Sequence, residues 1–217
     1  MIYAVGDIHG MLDKLQKLIA RCEEHADGRP MTLIFLGDYI DRGPEVAGVV
    51  GCLIELERKS PERVIPLMGN HEMMALAVID GAMPERSWLL QGGAATLESY
   101  GVSHARDLPS EHLDWLDTLR LAYDDGRRFF VHAGINPDKL LDAQNEVDLL
   151  WIREPFLSDG RDHGRLIVHG HTPLKDGAPD LRSNRLNLDT GAVFGGPLTA
   201  AVFDEKQRTP VAVLQAE

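Results

Sequence analysis

Two carboxylates and a guanidinium stand close together in Gly37-Asp38-Tyr39-Ile40-Asp41-Arg42-Gly43. An apolar stretch from Thr32 to Leu36 precedes them and predicts a buried strand; a helix is expected to begin at Pro44. Open α/β folds carry their chemistry at such strand ends. Four other short segments repeat the arrangement of apolar strand, then His, Asp or Asn. Their tips supply Asp7, His9, Asp38, Asn70, His132 and His171. Imidazole, carboxylate and amide oxygen together suit a divalent first-row ion such as Mn, Fe, Zn or Ni. They do not suit Ca or Mg, which take nearly all oxygen. Six ligands exceed one tetrahedral site but serve two ions if one carboxylate is shared. Asp38, central in the set, is the natural bridge.

The elements that must deliver these tips are legible in the hydrophobic pattern. Ile2 to Val5 is a short strand. Leu12, Leu15, Leu18, Ile19 and Cys22 form one stripe of an amphipathic helix with Lys14, Lys17 and Arg21 outward. A second strand runs from about Met31 to Leu36 and a third from Glu62 to Met68, separated by a helix with Val46, Val49, Val50 and Leu53 inward. The resulting βαβαβ order implies parallel pairing with right-handed crossovers. A further helix is expected from about His71 to Asp80. From 81 to 117 no strand pattern appears. This stretch reads as a helical insertion beside the site, with a loop at Gly92-Gly93 and a helix capped by Ser110. Leu119 to Tyr123 and Arg128 to Val131 flank an acidic turn and predict a hairpin. Leu166 to Val168, Arg185 to Leu188, Leu198 to Phe203 and Pro210 to Leu214 read as later strands, the last three mostly antiparallel because their links are short.

The 217 residues suffice for one core and one domain, spanning 1–217. With 34 acidic against 22 basic residues the net charge is -12, which argues against a nucleic-acid backbone binder but not against a phosphorylated substrate held through cations. No apolar run approaches the ~18 residues of a membrane span. The N-terminus enters a strand at once, and Cys22 and Cys52 lie at apolar helical positions. The expectation is therefore a cytoplasmic protein with two reduced cysteines, no membrane partner, and an open oligomeric state in which a monomer is favoured.

Gly6-Asp7-Ile8-His9-Gly10, the block from Gly37 to Gly43, and Gly69-Asn70-His71-Glu72 resemble the three signature blocks of the calcineurin-like metallophosphoesterases. The arginine after Asp41 resembles the phosphoprotein phosphatase branch, and specifically its bacterial and phage members. Val131-His132-Ala133-Gly134 and Gly170-His171-Thr172 resemble the later histidine blocks, so the likeness runs from residue 4 to about 195. It implies a four-layer α/β/β/α fold, a β-sandwich of two mixed sheets flanked by helices. It implies that Asp7, His9 and Asp38 hold one ion and that Asn70, His132, His171 and Asp38 hold the second, with Mn most readily used in vitro. His71 would be the general acid, oriented by Asp41. Arg42 and Arg153, with Asn70, would bind phosphate. A hydroxide bridging the two ions would attack phosphorus in line. Asp189, in the late block Asn187-Leu188-Asp189-Thr190-Gly191-Ala192, is read as support for a metal-binding histidine or as a turn cap. His169 is read as a packing residue, and His104, His112 and His163 as surface residues.

The activity that the resemblance implies first is a serine/threonine protein phosphatase acting on phosphorylated protein, with phosphotyrosine or small phosphoesters as further substrates. Its alternative is a bis(5'-nucleosyl)-tetraphosphatase-like hydrolase of dinucleotide polyphosphates. The symmetrical type carries glutamine where His9 stands, so His9 counts against that type. An inactive metal-binding scaffold would lack a ligand, His71 or Arg42, and none is missing. Neither cysteine sits in a phosphate-cradling loop, and Gly6 to Gly10 lacks the Gly-x-Gly-x-x-Gly spacing of a dinucleotide fold.

Overall fold

A computed structural model describes residues 1–217. The first half alternates strand and helix as β1 (Ile2–Val5), α1 (Leu12–Ala26), β2 (Thr32–Phe35), α2 (Val46–Lys59), β3 (Val64–Pro66) and α3 (Asn70–Ile79). A helical stretch follows: α4 (Glu85–Trp88), a π-helical turn at Leu89–Gly93, α5 (Ala94–Tyr100) and α6 (Ser110–Asp117). The second half contains β4 (Ala122–Asp124), β5 (Arg128–Val131), α7 (Glu146–Trp151), β6 (Leu166–His169), β7 (Asp180–Leu181), β8 (Arg185–Asn187), β9 (Leu198–Phe203) and β10 (Ala212–Ala216). No helix is long and apolar enough to cross a membrane.

Two five-stranded mixed sheets result, in the orders β10-β9-β1-β2-β3 and β4-β5-β6-β8-β7. Strands β1, β2 and β3 are parallel in one sheet, and β5, β6 and β8 are parallel in the other. Alternate side chains of each strand point to opposite faces, and this alternation divides the core into layers. Ala4, Ile34 and Ile65 from the first sheet meet Phe130, Val168 and Leu186 from the second, filling the space between them. Tyr3, Val5, Leu33 and Phe35 face the other way, onto Leu15, Leu18, Val49, Val50 and Leu53 of α1 and α2. Phe129, Val131 and Ile167 pack outward against Leu149 and Phe156. The four-layer architecture follows from this alternation.

Several boundaries depart from the sequence reading. Pro44 lies in the turn before α2, which starts at Val46, because the chain first pairs the Glu45 N–H with the Gly10 carbonyl. Strand β3 shrinks to three residues, and Pro66 at its end has no N–H to extend the ladder. Ser110 is the first residue of α6 and makes no side-chain cap. Gly92, at φ 118°, is non-helical and kinks the chain between α4 and α5, so the interruption expected at Gly92-Gly93 is a single-residue break and not a longer loop. Strand β8 pairs parallel with β6, since the chain between them turns through β7 before returning; a short link did not make it antiparallel. Lys14 does not point outward but reaches the carbonyls of Ala192 and Gly196. Cys22 is buried and Cys52 half-buried, both unpaired, and burial pushes the Cys22 thiol up to about 12.

Candidate metal centre

The parallel strands of both sheets deliver their C-terminal tips to one edge. Asp7 and His9 follow β1, Asp38 follows β2, Asn70 follows β3, His132 follows β5 and His171 follows β6; all six are buried. The backbone there is held in an uncommon conformation. Of the six non-glycine residues with positive φ, five are His9, Asp38, Asp41, Arg42 and His171. Left-handed non-glycine backbone costs about 1–3 kcal/mol each and persists only when its surroundings over-determine it.

Glu72 supplies much of that constraint. Its carboxylate accepts the N–H groups of Asp38 at 2.8 Å, Tyr39 at 2.8 Å, Ile40 at 3.1 Å and Gly69 at 3.0 Å. Burial and the adjacent Asp38 charge push Glu72 up to about 8, against the pull of those donors. The motif block containing Glu72 was visible in the sequence; its service to the Asp38 turn was not. Gly69 itself is required, because a Cβ there would strike the Asp38 backbone and carboxylate.

The Asp38 carboxylate is divided between two groups. Oδ2 lies 3.3 Å from His9 Nε2 and 4.0 Å from His71 Nε2, while Oδ1 lies 3.4 Å from His132 Nε2. The donor atoms gather as His9, Asp38 and His71 on one side and Asp38, His132 and His171 on the other, each set within 4.8 Å. Asn70 Oδ1 joins the second set, 2.9 Å from His132 Nε2 and 2.8 Å from His171 Nδ1. His9 Nδ1 faces the Ile40 carbonyl at 2.7 Å and His132 Nδ1 faces that of Leu36 at 2.9 Å. Only an N–H satisfies a carbonyl, so each ring keeps its lone pair on Nε2; that of His132 faces the centre, and that of His9 faces both the centre and the Arg42 guanidinium. Burial presses on Asp38 but His132, His71 and His9 outweigh it and hold the carboxyl well below its usual range. Burial and the field of His132 push His171 down to about 3, keeping it a neutral ligand.

Converging lone pairs, buried acids and an unpartnered buried His171 Nε2 fit a pair of divalent cations. The residues support a dinuclear site with Asp38 common to both sets. Asp7 stands at the same edge: its oxygens accept the His171 N–H at 3.1 and 3.2 Å, while His71 completes the first three-donor set with His9 and Asp38. Burial, Asp189 and Asp38 raise its pKa well above the ordinary range.

His71 is oriented from behind. Its Nδ1 lies 2.6 Å from Asp41 Oδ2, which also accepts Trp88 Nε1–H at 2.9 Å; Asp41 Oδ1 accepts the Thr96 hydroxyl at 2.6 Å. The Asp41 N–H donates to Thr96 Oγ1 and the Arg42 N–H to the Gly92 carbonyl, so α4, α5 and the turn between them clamp the Asp41-Arg42 bend. Sequence reading missed Trp88 and Thr96. Arg42 is exposed at the mouth with Nη1 2.6 Å from His9 Nε2. Arg153, exposed just past α7, makes no ion pair, and its charge contributes to the depression of His171.

The remaining residues sort plainly. Asp189 accepts the Gly191 N–H and is raised to about 6, chiefly by burial, so its hydrogen bonds are those of a turn cap. His163 is half-buried against Asp159 and His112 half-buried against Tyr100, neither a free surface group; His104 pairs with Glu85 in solvent. His169 packs against Phe156 with ring centroids 5.1 Å apart. Burial and then the Arg185 charge push it down to about 3. The folded value lies below the unfolded ~6.5, so the stability of the neutral ring is present above that pH and lost as pH falls toward 3. Relative to His169→Asn, the parent is expected to lose about 2 kcal/mol between pH 6.5 and 5. Denaturant titrations of both proteins at the two pH values test this, and a constant difference contradicts it.

Residues 1–200 match the family of calcineurin-like phosphoesterases. The chain is 34% identical to serine/threonine-protein phosphatase 1 of Salmonella typhimurium, covering 92% of this chain and 90% of that protein. It is 30% identical to the asymmetrical bis(5'-nucleosyl)-tetraphosphatase of Anoxybacillus flavithermus, covering 97% and 94%, and enzymes of the same name from several Bacillus species align over comparable lengths. A solved structure of a candidate diadenosine tetraphosphatase superposes with a TM-score of 0.75 at 22% identity, covering 99% of this chain and 92% of that one, which shows a shared fold. With its two mixed sheets and its two-sided Asp38 centre, this chain belongs to the calcineurin-like phosphoesterases.

Proposed function

We propose that this protein hydrolyses bis(5'-nucleosyl) tetraphosphates asymmetrically, cutting off-centre to leave a nucleoside triphosphate and a nucleoside monophosphate. The observation that carries the chemistry is the Asp38 carboxylate, whose two oxygens face separate imidazole sets. The substrate class rests on the run of asymmetrical bis(5'-nucleosyl)-tetraphosphatases that align with almost the whole chain. Two divalent cations, when bound, neutralise phosphate charge and lower the pKa of water enough to provide a nucleophile near neutral pH.

The chain's own residues have separate tasks in this reading. Asp7, His9 and Asp38 hold one cation, and Asp38, Asn70, His132 and His171 hold the other. Arg42 and Arg153 take the equatorial phosphate oxygens as charge spreads over them. His71 presents Nε2 to the leaving oxygen and donates a proton, while Asp41 holds its Nδ1–H. Protein phosphoserine and phosphothreonine hydrolysis is the second reading, favoured by the 34% identity to the Salmonella phosphatase.

The test compares kcat/KM of Mn-loaded enzyme on diadenosine tetraphosphate and on phosphoserine and phosphothreonine peptides. The dinucleotide is expected to lead by at least about tenfold, roughly 1.4 kcal/mol of transition-state preference. A lead for the peptides would install the second reading with every residue role unchanged.

A further inference from the structure

Beside the metal centre lies a cavity of about 380 Å³, lined by Pro173, Leu174, Lys175, Gly191, Phe194 and Gly196 among others. That volume lies within the roughly 300–1,000 Å³ of small-molecule sites. Its walls start two residues after His171, at Pro173, and one after Asp189, at Thr190, so the chain leaving the centre also builds the cavity. Phe194 is 65% exposed, an unusual position for a large apolar ring. The Arg42 guanidinium lies over that ring, 5.6 Å from its centroid, while Arg42 Nη1 touches His9 Nε2. One side chain therefore spans the distance from the metal-binding imidazole to the aromatic ring.

The ring does not hang on a loose loop. Gly191 and Gly195, at φ 72° and 94°, bend the chain on either side of the short turn that carries it. Lys14 of α1 grips that turn by donating to the Ala192 and Gly196 carbonyls at 3.2 and 2.6 Å, and Thr190 Oγ1 donates to the Pro197 carbonyl at 2.7 Å. The platform is thus preorganised. Lys175 is the only charged residue lining the cavity, and it is exposed without an ion pair. In a chain of net charge -12, a cavity whose only charge is positive admits an anion.

We infer that this cavity is a nucleoside subsite in which a substrate base stacks on Phe194 while the phosphate attached to that nucleoside meets Arg42. The inference rests on the dinucleotide reading above and adds to it the residues that recognise the base. It also explains why cleavage falls off-centre: a base on Phe194 sets a phosphate adjoining the nucleoside, not the middle of the chain, beside Arg42 and the metal-binding imidazole.

Binding measured by calorimetry, without turnover, tests the subsite on Mn-loaded protein with ADP and inorganic pyrophosphate as probes. The parent is expected to bind ADP about tenfold more tightly than pyrophosphate, the usual scale for one stacked base. Phe194→Ala should erase that preference and Phe194→Trp should keep it. Equal affinities in the parent, or a preference that survives Phe194→Ala, overturns the subsite. So does a preference lost in Trp151→Ala alone, since Trp151 flanks His171 on a different element. If the ADP preference depends on Phe194 but phosphopeptides are turned over faster than the dinucleotide, the subsite stands and only the functional reading falls.

Discussion

Replacing His71 by Asn is expected to lower kcat on a phosphoserine peptide by about 10²–10⁴-fold, the usual contribution of a positioned general acid. The loss on p-nitrophenyl phosphate is expected to stay within about tenfold, because nitrophenolate departs without a proton. The dinucleotide should fall between them, since a nucleoside phosphate leaves more readily than an alkoxide. The basis is geometric. Asp41 holds Nδ1 at 2.6 Å, and Trp88 and Thr96 hold Asp41, so the ring is fixed and only Nε2 can serve the leaving oxygen. The structure also offers His71 a competing task, because its Nε2 lies 4.0 Å from Asp38 Oδ2 and completes a three-donor set. Equal losses on all three substrates, accompanied by a fall in bound metal, would make His71 a ligand and not the proton donor.

Asp38→Asn is expected to bring bound metal well below that of the parent, with affinity falling more than about 100-fold. That is the upper end of what losing a partner that merely orients a ligand costs. Activity should fall with it on every substrate. Asp38 is the only carboxylate shared by both donor sets, and an amide in its place would bring an NH₂ donor toward imidazole nitrogens that already lack protons. Metal analysis after dialysis, with circular dichroism to confirm folding, reads the effect. Two ions retained by the variant would end the bridging role.

The candidate ligands were legible because their signals are local. Each ligand follows an apolar strand by a few residues, and glycines mark the sharp turns, so Asp7, His9, Asp38, Asn70, His132 and His171 could be picked out one block at a time. The alternating βαβ order likewise foretold the parallel half of the first sheet. Substrate class was less legible. The sequence blocks ranked protein phosphatase first, and the relatives that align end to end carry both names, a serine/threonine-protein phosphatase and several asymmetrical bis(5'-nucleosyl)-tetraphosphatases.

What the chain determined alone, then, is the inventory: which candidate ligands stand on which strand ends, with Asp38 central. Tertiary structure decided how they are shared out. It placed Asp7 against the His171 backbone and His71 beside Asp38, and it split the two oxygens of Asp38 between the sheets. It recruited Trp88 and Thr96, 47 and 55 positions from Asp41, and brought Phe194 under Arg42. The physical reason is range. Hydrophobic period and turn chemistry act over a few residues and are written in the local sequence. Partners dozens of positions apart meet only after sheet order and layer packing have set their distance, and no local pattern encodes that.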